Sequence, residues 1–267
     1  MNLTSGLISA FYRMAIATAI ILPFAIYTGK LKLENLKGLL PIALCGVLFA
    51  SDIAVWNISI QNSTATQATL LTNLSPIWVG IFSFLFLTYR PKTSFWLGTV
   101  IALIGMTVFV GIDTILELKL DFAFFLGILS GLFYALYILM SKKVLEKMAV
   151  VPFMTFSMIF STIFLLVINI LFKENFVGFS SKAWVSLFVQ GIICQLIAWL
   201  LISYATQKMR PTRVSLSLLS QAVFATILAA IFVDEKITVH QMFGTLIILG
   251  GIAVTFYEKK AVEADAK

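Results

Sequence analysis

Residues 66–111 read TQATLLTNLSPIWVGIFSFLFLTYRPKTSFWLGTVIALIGMTVFVG, and residues 212–257 read TRVSLSLLSQAVFATILAAIFVDEKITVHQMFGTLIILGGIAVTFY. Laid over one another without a gap, Thr66 meets Thr212, Leu70 meets Leu216, Ile81 meets Ile227 and Phe86 meets Phe232. Gly98-Thr99 then meets Gly244-Thr245, Gly105 meets Gly251, and Val108 meets Val254. Two apolar stretches share leucines by chance, but matched glycines and threonines are not placed by composition alone. Each copy reads as a long apolar helix, a polar hinge and a second apolar helix beginning near the Gly-Thr pair. A duplicated unit is therefore expected.

The 267 residues are 60% hydrophobic and 12% charged, with a mean hydropathy of +1.02. A soluble domain is about 45–50% apolar and about 25% charged, so the solvent for most of this surface is expected to be lipid. The formal net charge of +7 does not point to nucleic acid, because the bases lie in short clusters between apolar runs, the pattern of membrane topology. Cys45 and Cys194 both fall inside apolar segments, which argues against a disulfide framework or a metal site, and no cofactor is expected. Met1 to Ser5 carries no basic region of a cleavable signal.

A spanning helix needs about 20 mostly apolar residues. The stretches that qualify are 7–28, 38–60, 63–87, 95–111, 121–141, 152–172, 183–205, 213–233 and 239–257. Bases cluster after alternate spans: Lys30, Lys32 and Lys37; Arg90 and Lys92; Lys142, Lys143 and Lys147; Lys208, Arg210 and Arg213; and Lys259, Lys260 and Lys267. Asp113, Glu117, Asp121, Glu174, Asp234 and Glu235 lie on the other side. The base-rich side is expected to be cytoplasmic, with the C-terminus inside. Span 63–87 then runs outside to inside and its counterpart 213–233 inside to outside, so the copies are inverted. The expected units are 1–111 with four spans and 121–257 with five, joined by the linker 112–120 and followed by a cytoplasmic tail, 258–267. Span 121–141 has no partner in the first unit, and a first helix lost by truncation or a misassigned start is expected. Inverted repeats point to transporters, whose pseudosymmetric halves open a central site to each side in turn.

Ionisable residues at membrane depth cost several kcal/mol unless paired or hydrated. Arg13 and Asp52 lie at similar depth on neighbouring spans, so an ion pair or a shared polar cavity is expected, with snorkelling of Arg13 as the other reading. Trp56 shares a helix face with Asp52, and Asn57 follows it. Asn73, Ser75 and Pro76 lie mid-span, where Pro76 is expected to bend the helix and expose backbone. The matching place in the second copy is Ser220-Gln221-Ala222. Gln195 and Trp199 mark span 183–205, and Tyr134 and Tyr137 mark 121–141. Each of these has an alternative role between helices or at the interface. Gly127 and Gly131 form a small-xxx-small pair for close helix packing. The one histidine, His240, lies at the start of the last span, and no HExxH, GxSxG, Walker loop or CxxC occurs, so an enzyme is not expected.

Three segments carry a family resemblance: Phe49-Ala50-Ser51-Asp52 through Trp56; Ala68 through Asn73-Leu74-Ser75-Pro76; and Ser215 through Gln221, Asp234-Glu235-Lys236 and Gly244. The chain resembles the drug/metabolite transporter superfamily, specifically EamA-type permeases. That resemblance implies ten helices in two inverted five-helix repeats with cytoplasmic termini. It departs from the family at the absent first helix, at Ala222 where the second repeat carries proline, and at Tyr89 where the first carries an acid kept as Glu235 in the second.

The expected molecule is an all-α polytopic bundle of about nine transmembrane helices in the cell inner (plasma) membrane. It would move a small organic solute by alternating access, proton- or exchange-coupled. The expected pathway residues are Asp52, Trp56, Asn57, Asn73, Pro76, Tyr134, Tyr137, Gln195, Trp199 and Gln221, with Asp52 and Arg13 as the coupling or paired groups. The expected partners are the solute and the bilayer, without nucleic acid, and a homodimer is compatible with the sequence. The alternative is a non-transporting scaffold or a lipid-modifying membrane enzyme.

Overall fold

A computed structural model of the chain describes residues 5–31, 39–87, 90–116, 118–232, 234 and 236–257. Tyr89, Glu117, Glu235, Lys32, Lys37 and the basic tail with Lys259, Lys260 and Lys267 lie outside the described residues. The helices are α1 (Gly6–Tyr27), α2 (Leu39–Asn62), α3 (Ala65–Thr72), α4 (Ser75–Phe86), α5 (Thr93–Val110), α6 (Ile112–Leu116) and α7 (Phe122–Leu145). They continue as α8 (Val150–Leu171), α9 (Ser181–Val189), a π segment (Gln190–Ile197), α10 (Ala198–Lys208), α11 (Pro211–Ser217), α12 (Ser220–Phe232) and α13 (Val239–Phe256).

Among the described residues, nine helical stretches are long and apolar enough to cross a membrane. They match the stretches read from hydropathy, except that the fifth runs on through Lys142 and Lys143 to Leu145. Their starts are chemically marked. Ser5, Thr64, Asp121 and Ser180 each turn a side-chain oxygen onto a backbone N–H in the first turn, satisfying donors the helix cannot. Leu85, Leu171, Ile231 and Leu246 are each more than 60% exposed. With no water at membrane depth, such a surface is stable only against lipid tails.

Both central spans are interrupted, at places within one residue of each other under the repeat offset. α3 ends at Thr72 and α4 begins at Ser75; α11 ends at Ser217 and α12 begins at Ser220. Pro76 is the second residue of α4, where its missing N–H costs no helical hydrogen bond. The expected kink is thus a two-residue turn at Asn73-Leu74, both still in αR conformation, with proline just beyond it. The second copy breaks without proline: Ser220 Oγ donates to the Ser217 carbonyl and turns the chain there. Replacement of the family's proline by Ala222 therefore does not remove the hinge.

Two pairs of counterpart helices meet each other, and both run antiparallel. Along α5 and α13, Gly98 lies against Gly251, Gly105 against Ile248, and Phe109 against Gly244. The contact is reciprocal under the repeat offset: Gly105 meets Ile248, and their counterparts Gly251 and Ala102 meet in turn. A contact that maps onto itself in this way is consistent with a two-fold relation. Between α1 and α8, the Thr18 and Thr162 hydroxyls lie 3.0 Å apart, and Asn169 Nδ2 donates to the Leu7 carbonyl at 3.2 Å. Small residues let these backbones approach, which is where helices in lipid gain their packing energy.

Gly127 and Gly131 work in the same manner. A side chain at either would strike Leu71 or the Thr72 carbonyl, so the α7 glycines form the groove that holds α3. On the base-rich side, Gln207 Nε2 donates to the Leu145 and Met148 carbonyls and Lys142 Nζ to the Gln207 carbonyl. These bonds tie α10 to the end of α7.

Candidate functional site

Where the breaks of α3–α4 and α11–α12 face each other, Gln221 Nε2 donates to Asn73 Oδ1 at 3.3 Å. Above this contact lies a cavity of about 630 Å³, within the usual range of about 300–1,000 Å³ for small-molecule sites. Arg13, Trp56, Thr69, Phe224 and Leu228 line it. By chain position these lie between the breaks and the base-poor helix ends, so the cavity extends from mid-span toward that side.

Among the described residues, Asp52 is the one carboxylate in the wall. It is 6% exposed, and Ser130 Oγ donates to its Oδ1 at 2.6 Å. The Thr72 hydroxyl sits 3.0 Å from Ser130 Oγ, so a hydroxyl chain runs from Asp52 to the edge of the α3 break. A carboxylate held in low dielectric needs such donors. One aromatic wall gathers around Trp199, whose ring meets Phe49 at 4.2 Å, Tyr137 at 5.5 Å and Tyr134 at 6.1 Å between centroids. Phe49 also stacks on Tyr137 at 4.8 Å. These rings come from α2, α7 and α10 and give the cavity a flat, rigid, apolar face.

Among the described residues, Arg13 is the one cation in the wall. Its NH2 group donates to Gln195 Oε1 at 3.4 Å, while its Nε and the Gln195 Nε2 are buried without a partner. Gln195 sits in the π segment, fully buried where α1 crosses at Gly191. The sequence of that span gives no sign of a π turn, a feature that often marks functional sites. The direct ion pair between Arg13 and Asp52 is not formed; each has another partner, and the two share the cavity. Asn57 bonds its own helix at the Ile53 carbonyl and packs against Gly6, away from the lining. Pro76 and Tyr137 are buried behind the wall.

The cavity thus brings together Asp52, Trp56, Asn73, Tyr134, Trp199, Gln221 and Arg13. Sequence reading passed over Phe49, Thr72 and Ser130. Phe49 lies three residues before Asp52 on the same helix face, and Ser130 lies between the two α7 glycines; both spacings were available as signals. Among the described residues, no cluster of His, Cys, Asp or Glu could hold a metal ion.

A polytopic helix bundle whose paired interrupted spans meet at a central cavity fits a membrane transport protein. Comparison with known proteins gives the family. Residues 2–111 and 121–257 each match the EamA-like transporter family, and the chain belongs to it. An uncharacterized transporter of Bacillus subtilis, YdfC, is 27% identical over 256 residues, covering 92% of this chain and 80% of the relative. An S-adenosylmethionine uptake transporter of Rickettsia felis is 25% identical over 257 residues, covering 95% and 84%. A solved crystal structure superposes with a TM-score of 0.77 at 17% identity, covering 95% of this chain and 88% of its own, which shows the shared fold. The protein is a multi-pass membrane transporter.

Proposed function

We propose that this transporter carries a small organic solute through the cavity between its two halves by alternating access, with Asp52 as the coupling group. One observation carries the reading: the two broken spans meet at Asn73 and Gln221, at the inner end of a cavity large enough for a metabolite. Broken helices leave backbone polar groups free at mid-membrane, where only a ligand or a lined cavity stabilises them. The antiparallel counterpart pairs α5/α13 and α1/α8 support exchange between two mirror-related arrangements. The hydroxyl chain Thr72–Ser130–Asp52 joins the one lining carboxylate to the break, so a change of charge there bears on hinge packing. In this reading the pathway is made by Asp52, Trp56, Asn73, Tyr134, Trp199 and Gln221, with Tyr137 and Gln195 supporting it from behind. By the distribution of basic residues, the C-terminus faces the cytoplasm of the inner (plasma) membrane.

The solute class to test first is that of the Rickettsia relatives, whose named solute is S-adenosylmethionine. Protein purified and reconstituted into liposomes is expected to take up labelled S-adenosylmethionine or another small metabolite saturably above protein-free vesicles. The bound solute at a hundred times its Kd should also stabilise the folded protein by about 2.7 kcal/mol. Neither uptake nor thermal stabilisation across amino acids, nucleosides, sugars and organic cations would favour a non-transporting role.

A further inference from the structure

We propose that Arg13 and Gln195 form an oxyanion-holding end of the cavity, taking a carboxylate or phosphoryl oxygen of the transported solute. The inference rests on the transporter reading and assigns a chemistry to one end of its site.

Arg13 reaches the cavity from α1, yet among the described residues no carboxylate lies within salt-bridge distance of it. Asp52, the nearest candidate by position, accepts from Ser130 instead. The bond from Arg13 to Gln195 is long at 3.4 Å, and it leaves two buried donors, Arg13 Nε and Gln195 Nε2, with nothing to donate to. An unsatisfied buried donor costs about 1–3 kcal/mol, and more when charged. The free Nε–H and the weakly engaged NH2 group leave the guanidinium an edge of the kind that oxyanions fill bidentately. Gln195 is fully buried and belongs to the π segment, so its amide is held in place behind Arg13. A modest turn of the guanidinium toward the cavity would offer its Nε–H and an adjacent N–H to one oxygen pair, with Gln195 steadying it from behind. The aromatic face of Trp199, Phe49 and Tyr134 then receives the ring or apolar body of the same solute. Asp52, which lines the same cavity, favours a solute that also carries a cationic group, because that leaves neither lining charge uncompensated.

The test uses full-length protein in proteoliposomes and two pairs of labelled probes that differ in the oxyanion. S-adenosylmethionine and its decarboxylated analogue test a carboxylate; adenosine 5′-monophosphate and adenosine test a phosphoryl group. The wild type is expected to take up the acid of at least one pair about tenfold faster than its partner, and the pair that discriminates identifies the source of the oxyanion. Arg13→Gln is expected to erase that preference. Gln195→Glu guards against a variant that simply misfolds, since it supplies a carboxylate beside Arg13 from within the chain. That variant should melt no lower than the wild type and yet lose acid uptake about tenfold. Equal uptake of acid and analogue in both pairs, or full acid uptake by Gln195→Glu, overturns the assignment. Uptake of neither acid overturns it too, and movement of adenosine or the decarboxylated analogue in the same vesicles would leave the transporter reading standing.

Discussion

Asp52→Asn is expected to abolish concentrative uptake while leaving the fold intact. Asparagine keeps the shape of the side chain, and its Oδ1 can still accept the hydrogen bond from Ser130 that the carboxylate accepts at 2.6 Å. What the variant loses is charge, and with it the ability to gain and lose a proton. Among the described residues Asp52 is the one carboxylate lining the cavity, so no second described acid there takes over the role. Accumulation driven by a proton gradient should fall by at least tenfold, about 1.4 kcal/mol of coupling. Exchange of internal for external solute should persist, because neither step changes the charge of the empty site. Thermal stability should stay level or rise, since an ionisable group 6% exposed is replaced by a neutral one with the same partner. Uptake measured at matched and opposed internal and external pH checks the prediction; unchanged uptake at every pH would remove Asp52 from coupling.

The largest structural effect is expected at the seam between counterpart helices. A β-carbon at Gly251 would lie 2.6 Å from both the Ala102 nitrogen and the Gly98 oxygen, and one at Gly105 would lie 2.6 Å from the Ile248 nitrogen. These obstacles are backbone atoms, which cannot swing aside as a side-chain tip does. Overpacking of a well-filled core by extra methylenes costs about 1–3 kcal/mol, and a clash with two backbones belongs at or above the top of that range. Gly251→Leu should therefore lower the melting temperature in detergent most, and Gly251→Ala by less. Gly250→Leu is the matched control: nothing lies within 4 Å of a β-carbon there, and its melting temperature should stay near that of the wild type. A Gly251→Leu protein as stable as the control would mean that the two helices are not in contact in the membrane.

The spans were legible because a helix in lipid must be apolar around its whole circumference, and hydropathy reports that directly. The breaks were legible as polar residues in mid-span, but their cause was not. Pro76 drew attention as the bend, whereas the chain turns just before it at Asn73-Leu74, and turns at Leu218-Leu219 with no proline at all. The polar residues Asn73 and Ser220, within one residue of each other under the repeat offset, carried more information than the proline. At the cavity, depth arithmetic put Arg13 and Asp52 at one level, yet depth says nothing of azimuth. Only the packing of α1 onto the π segment, and of α7 onto α2, turns one toward Gln195 and the other toward Ser130. Asn57, adjacent to Trp56 in sequence, points about 100° away around the helix and satisfies itself on its own backbone. The π segment itself left no trace, because its residues are ordinary helix formers.

Cys194 offers the most direct test of the account, since it lines the cavity while Cys45, the chain's other cysteine, is buried. With Cys45 replaced by alanine, a membrane-impermeant maleimide can be applied to the reconstituted protein from one face of the bilayer at a time. A cavity between two inverted halves predicts that Cys194 reacts from each face in turn, with transported solute slowing both reactions and a solute gradient changing their ratio. Reaction from one face alone under every condition, with solute and without, would contradict it.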